Sequence, residues 1–285
     1  MFDPAGDRSL TPLRLILICP FVVLALTSSA AAQQPIVSPA PAGPEFFSRA
    51  DFHLTAAALT SPQVKSTTGQ TIDDPRFSWD THWGGSIDVV DYVGGRLAAI
   101  IDYQAVLGSE FQPFDPYQGN YTLEASGSAR VGEHTEVVGI FHHVSRHFSD
   151  RPKRVAIAWN VLGARLLHRF SGGHNSLDLD IEGGRTVEHA YVDYTWVAEM
   201  NVLGRRQISD RVGAFARLSG QLFAVNGTVP KRGTQRGGLI EGGFRFGGKG
   251  GALELFAGIE KRVDADPLDR QAQHWGFAGF RLLSR

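Results

Sequence analysis

The chain has 285 residues, with 28 Lys and Arg against 29 Asp and Glu, 33 Gly, 14 Pro and a single Cys. The near-zero balance excludes a strongly basic nucleic-acid binder, so no nucleic-acid partner is expected. A hydrophobic content of 42% excludes a disordered chain, and one cysteine excludes a disulfide framework or a multi-cysteine zinc site.

Residues 1–32 read as a secretory signal. Arg8 and Arg14 precede or open an apolar run over 15–26, and Ala30-Ala31-Ala32 offers a small-residue cleavage site. The run is too short to cross a bilayer as a helix, which takes about 20 residues. Residues 33–45 are rich in Pro and Ala and read as an extended N-terminal tether.

From Phe46 onward the hydrophobic period is two. Leu177, Leu179 and Ile181 alternate with Asp178, Asp180 and Glu182, and Leu97, Ala99 and Ile101 alternate against Arg96 and Asp102. Glycine pairs such as Gly94-Gly95 and Gly172-Gly173 punctuate the pattern. Strands are expected near 46–60, 80–91, 95–107, 119–132, 135–148, 155–170, 175–188, 191–206, 211–225, 235–247, 252–264 and 274–284, twelve in all.

Alternation alone fits a soluble sandwich as well as a membrane barrel. Three features favour the barrel: long consecutive strands, charges placed directly on the polar faces, and aromatics near strand ends. Phe77, Trp79, Trp83, Tyr191, Tyr194, Trp196, Trp275 and Phe277 read as interface girdles. The expected fold is therefore all-β, an antiparallel up-and-down transmembrane β-barrel of about twelve strands over residues 46–285. Export to the bacterial outer membrane through a cleaved signal follows. Arg205-Arg206 and Lys231-Arg232 read as solvated loop charges that could meet anionic lipopolysaccharide.

One segment carries candidate chemistry, over residues 141–150. On a strand His143, Ser145 and His147 share one face. An imidazole within reach of a hydroxyl can take its proton and make it a nucleophile, provided a third group holds the other ring nitrogen. If paired residue numbers in the following hairpin sum to 303, Asn160 lies opposite His143. The opposite face of that strand (Val138, Ile140, Val144, Phe148) is the more apolar, which directs the triplet into the lumen. Asn160 instead shares a face with Ala158, Leu162 and Leu166, which reads as lipid-facing, so the two readings conflict if His143 pairs with Asn160 and the facing stays open. Three uses of these residues stay open: hydrogen-bonded lumen lining, a Ser145/His143/Asn160 acyl hydrolase, and a metal site from His143, His147 and Asp150.

The whole-chain pattern resembles bacterial outer-membrane β-barrel proteins. His143-Val144-Ser145, followed by Trp159-Asn160 on the next strand and preceded by Asn120-Tyr121, resembles the active-site hairpin of outer-membrane phospholipase A. The chain departs from that family in having Arg146-His147 after the serine, where the family has Asn-Gly. The resemblance implies hydrolysis of phospholipid acyl esters, with Ser145 as nucleophile, His143 as base and Asn160 orienting it. It also implies calcium dependence, activity as a homodimer, and outer-membrane lipids as partners. The alternative is a non-enzymatic barrel, a narrow pore or structural protein with a histidine-rich lumen.

Overall fold

A computed structural model describes residues 37–60, 63–65, 69–149 and 155–284. The expected signal over 1–32 lies outside the described residues. All regular secondary structure among the described residues is β. Twelve strands form the wall: β1 (Ala50–Leu59), β2 (Trp79–Tyr92), β3 (Gly95–Gly108), β4 (Asp115–Gly132), β5 (Thr135–Phe148), β6 (Ile157–Gly172), β7 (Asn175–Ala190), β8 (Tyr194–Gln207), β9 (Val212–Val225), β10 (Gln235–Gly247), β11 (Gly251–Asp266) and β12 (Gln271–Ser284). Each is antiparallel to its neighbours, and β12 pairs with β1, Phe277 opposite Leu59, so the sheet closes.

The expected first strand over 46–60 divides in two. Glu45–Phe46 pairs with Asp91 and Val90 of β2, and Phe47, at φ +53°, breaks the extended chain before β1 begins. A short hairpin, Gln63–Lys65 with Thr71–Asp73, stands in the β1–β2 connection.

The two ends of the barrel differ. At one, β2–β3, β4–β5 and β6–β7 are joined by two-residue turns. In the last of these Gly173 sits at φ +56°, a conformation glycine adopts without steric cost. The other end carries the longer connections, including 60–78 and 226–234.

Side chains sort by alternation onto two walls. Leu97, Ile101, Val137, Phe141, Leu255, Ile259 and Leu282 are exposed on the outside. Inside, charges are buried and paired. Arg165 grips Glu124 through two bonds of 2.7 Å and also reaches Glu182 at 2.9 Å. Arg281 bonds Glu254 at 2.7 Å and Glu241 at 3.0 Å, and His53 and His82 share Asp102 at 2.8 and 2.9 Å. This is the reverse of a soluble barrel, and it is what a hydrocarbon solvent selects. The ion pairs fill the middle of the lumen, leaving cavities such as two of about 40 and 60 Å³, room for a few waters.

Both mouths are covered. At the short-turn end Val37 enters the lumen and packs against Val138, Ile140 and Leu167. Ser38 follows, its N–H donating to Glu136 at 3.0 Å and its carbonyl accepting from Arg130 at 3.2 Å. The tether is thus docked inside the barrel over these residues. At the long-loop end the last turn of β11 leaves the wall. Its register with β12 breaks between Arg262 and Asp266, Asp264 adopts φ +47°, and all of Val263, Asp264, Ala265 and Asp266 are buried. Arg146 of β5 and Gln118 of β4 donate to the carbonyls of Asp264 and Ala265 at 2.6 and 2.7 Å. Phe77, Tyr117 and Trp275 stack beneath, with ring centroids 5.5 Å apart from Phe77 to each of the others.

Several expectations about facing are corrected here. Trp83 (51% exposed) and Trp196 (56%) lie on the outer surface as girdle residues should, whereas Tyr191 sits in the β7–β8 connection, its ring 4.4 Å from the Arg270 guanidinium and its hydroxyl donating to the carbonyl of Leu268 at 3.2 Å. Phe77, Tyr194, Trp275 and Phe277 are buried inside, because they pack the covered long-loop mouth. Arg205 is no loop charge: it points into the lumen and pairs with Asp178. Arg232 pairs with Asp193 at 3.1 Å and with Asp264. Burial opposes its charge, but the Asp264 hydrogen bond and the two carboxylates outweigh that and hold the guanidinium above its ordinary value.

Candidate active site

β5 and β6 pair with His143 opposite Asn160, the register in which residue numbers sum to 303. Successive residues of β5 settle which wall each belongs to. Glu136, Val138, Ile140 and Arg146 are buried, whereas Val137, Phe141 and His147 are exposed. His143 and Ser145 belong to the second set and stand on the outer wall. Of the two facings that the sequence left open, the triplet takes the outer one, and the reading that sends it into the lumen is overturned. The inner face of β5 is apolar for a different reason: Val138 and Ile140 receive Val37, and Val144 and Phe148 pack under the covered mouth.

On β6, Ile157, Trp159, Val161 and Arg165 are buried inside, and Ala158, Asn160, Leu162 and Leu166 alternate outward. Asn160 thus meets His143 on the lipid-facing surface. His143 Nδ1 and Asn160 Oδ1 are 2.6 Å apart. Asn160 Nδ2 donates to Glu188 Oε2 of β7 at 2.9 Å. Ser145 Oγ shares a hydrogen bond of 2.7 Å with His147 Nε2, so in this arrangement its hydroxyl is turned away from His143. His143 and His147 lie two residues to either side of Ser145, and rotation about one Cα–Cβ bond re-aims the hydroxyl between them. His147 itself stands edge-on to Tyr121, with centroids 5.5 Å apart.

Tyr121, directly opposite Ser145 on β4, continues an aromatic row along the outer wall. It approaches Tyr103 at 4.9 Å, and Tyr103 approaches Trp83 at 5.5 Å. On the other side Ser145 faces the small side chain of Ala158. Asn120, the other half of the Asn-Tyr pair, points inward and donates to Gln104 at 2.8 Å.

The chemistry of this patch follows from its solvent. Polar groups set in a hydrocarbon-facing wall are costly unless paired, and they concentrate where function needs them. Below the site the same face of β5 carries Val137, Gly139 and Phe141; above it come three consecutive outward polar residues, ending one residue from the top of the strand. A serine hydroxyl, two imidazoles, an amide and a carboxylate are the parts of nucleophilic acyl chemistry.

For the metal alternative, His143 and His147 share the outer face, and Asp150 lies outside the described residues. Among the described residues no three His, Cys, Asp or Glu side chains come together as metal ligands. Calcium takes six to eight oxygens, and among the described residues that donor set is not assembled beside Ser145.

Glu188 was not foreseen from the sequence. Strict alternation along β7 puts it on the lumen side with Asp178, Asp180 and Thr186, and the irregularity that moves it has no signature in a single sequence.

No protein-family profile matches the chain, and none of the curated proteins does. Solved structures do match. An outer membrane channel from Pseudomonas putida F1 is 10% identical, with 87% of this chain and 97% of that one covered and a TM-score of 0.53. The chain has the fold of an outer-membrane β-barrel. Outer membrane phospholipase A from Escherichia coli is 11% identical over 82% of this chain and 92% of that one, at a TM-score of 0.49. The toluene transporter TodX of Pseudomonas putida is 6% identical over 86% and 90%, at 0.43. A shared fold does not by itself assign a function.

Proposed function

We propose that this barrel is an outer-membrane hydrolase of lipid acyl esters, working on its outer wall through Ser145, His143 and Asn160. The observation that carries the reading is the His143–Asn160 hydrogen bond of 2.6 Å on the lipid-facing surface, with Ser145 on the same face. Outer-membrane barrels keep short turns in the periplasm and long loops outside. The site lies near the long-loop end, which corresponds to the outer leaflet, close to the depth at which lipid ester bonds lie.

The reaction follows from the parts. Asn160 holds Nδ1 of His143, leaving Nε2 to take the Ser145 proton as Oγ attacks the ester carbonyl carbon. The tetrahedral intermediate collapses, the imidazolium returns its proton to the departing alcohol oxygen, and the acyl group stays on Ser145. Water, deprotonated by the same imidazole, then attacks the acyl carbonyl carbon, the bond to Oγ breaks, and the imidazolium returns the proton to Ser145 as the fatty acid leaves.

A pore is the weaker reading. Val37 and Ser38 occupy one mouth, residues 263–266 the other, and ion pairs fill the space between. The test is hydrolysis of a diacyl phospholipid by the refolded barrel in mixed micelles, with and without calcium. Fatty acid release that disappears in Ser145→Ala is expected; equal release from that variant, or none from the unaltered protein, overturns the proposal.

A further inference from the structure

β7 carries a single break in its alternation. Thr186 pairs with Val161, both inward, whereas Glu188 pairs with Asn160, both outward, so Val187 is an extra residue that β6 does not match. Such a bulge reverses the facing of everything beyond it, and bulges serve to re-aim side chains beside active sites. Without it, a carboxylate that now sits on the lipid-facing wall would point into the lumen, where carboxylates are the rule. Its bond there goes to the amide nitrogen of Asn160.

Resting on the hydrolase reading, we propose that Glu188 is a positioning residue of this site, which sets the amide of Asn160 and through it the tautomer of His143. A carboxylate accepts hydrogen bonds and donates none, so it takes the NH2 side of the Asn160 amide. That turns Oδ1 toward His143, where an acceptor requires a proton on Nδ1. The proton being on Nδ1, the lone pair is on Nε2, the nitrogen a serine two residues away can reach. An asparagine alone does not make this choice, because its two ends differ only in donating or accepting. A lipid-facing site has no bulk water to enforce it either. The Ser145–His143–Asn160 constellation therefore needs a fourth member, and the bulge at Val187 delivers it.

The test uses the refolded full barrel in micelles with 15N-labelled histidine, read at a pH where the ring is neutral, the His143 signals being assigned with His143→Gln. The unaltered protein should show a single Nδ1–H tautomer at His143. Glu188→Ala should give a mixture of tautomers. Glu188→Lys places a donor at the same point, turns the amide over and should shift His143 to the Nε2–H form. Activity should follow as a kcat loss of about 10- to 100-fold with KM little changed, the scale on which supporting partners act. A His143 tautomer unchanged in both variants overturns the role of Glu188, even if Ser145→Ala is inactive. If Ser145→Ala instead keeps full activity, the hydrolase reading falls, and the tautomer pattern still decides what Glu188 does.

Discussion

Arg146 of β5 donates through Nη1 to the backbone carbonyl of Asp264 at 2.6 Å, joining two strands that stand on opposite sides of the ring. Its neighbours in sequence, Ser145 and His147, point the other way, to lipid. One short stretch thus fastens the covered mouth from within and presents the candidate nucleophile outside. The guanidinium also lies 5.4 Å over the ring of Trp159, whose own neighbour Asn160 faces out toward His143.

The covered mouths lead to an electrical prediction. Reconstituted in planar bilayers, the protein should give no steady conductance steps, because ions would have to displace Val37–Ser38, the central ion pairs and the 263–266 segment in series. Steady unitary currents from the unaltered chain would restore the pore reading.

Facing can be measured with light. Lipids brominated on their acyl chains should quench Trp83 and Trp196, which are 51% and 56% exposed on the outer wall. Trp159 and Trp275, at 5% and 4%, should keep their emission. Single-tryptophan variants separate the four signals, and the opposite pattern would turn the barrel inside out.

The lumen should be the main source of rigidity. Arg165 lies against Glu124, Glu182 and Asp180. Replacing it with Met leaves buried carboxylates without their cation, a loss that costs about 3–5 kcal/mol in comparable buried pairs. Urea unfolding in detergent should register it as a lower midpoint. A midpoint within error of the unaltered protein would show that water in the lumen screens these charges.

Two imidazoles flank Ser145, and substitution separates them. His143→Ala should lower kcat by roughly 100- to 10,000-fold, the range for loss of a general base. His147→Ala should retain most of the activity, since His143 is the ring that Asn160 and Glu188 support. The reverse ranking would transfer the base to His147.

Much of this was legible in the sequence, for a local reason. Period-two alternation and glycine turns are nearest-neighbour properties, so strands such as the one holding Leu177–Ile181 could be read directly, whereas the pairing of His143 with Asn160 was only one of the registers the sequence allowed. What failed depended on contacts distant in the chain. The inner face of β5 looked like a lipid face because Val138 and Ile140 wait for Val37, about a hundred residues earlier. Trp275 and Phe277 looked like girdle residues because nothing nearby announces that 263–266 folds across the mouth. Glu188 was hidden by one unmatched residue, Val187, which shifts the register only when β6 is alongside.

The filled lumen has an engineering corollary. Most enzymes must keep a hollow, and the side chains around it compromise between cohesion and turnover. Here the substrate would never enter: it would glide up to the rim of β5, β6 and β7 from the side. Substitutions that tighten the Arg281–Glu241–Glu254 layer could then raise heat resistance without slowing the reaction, since the two tasks occupy opposite surfaces of the same strands.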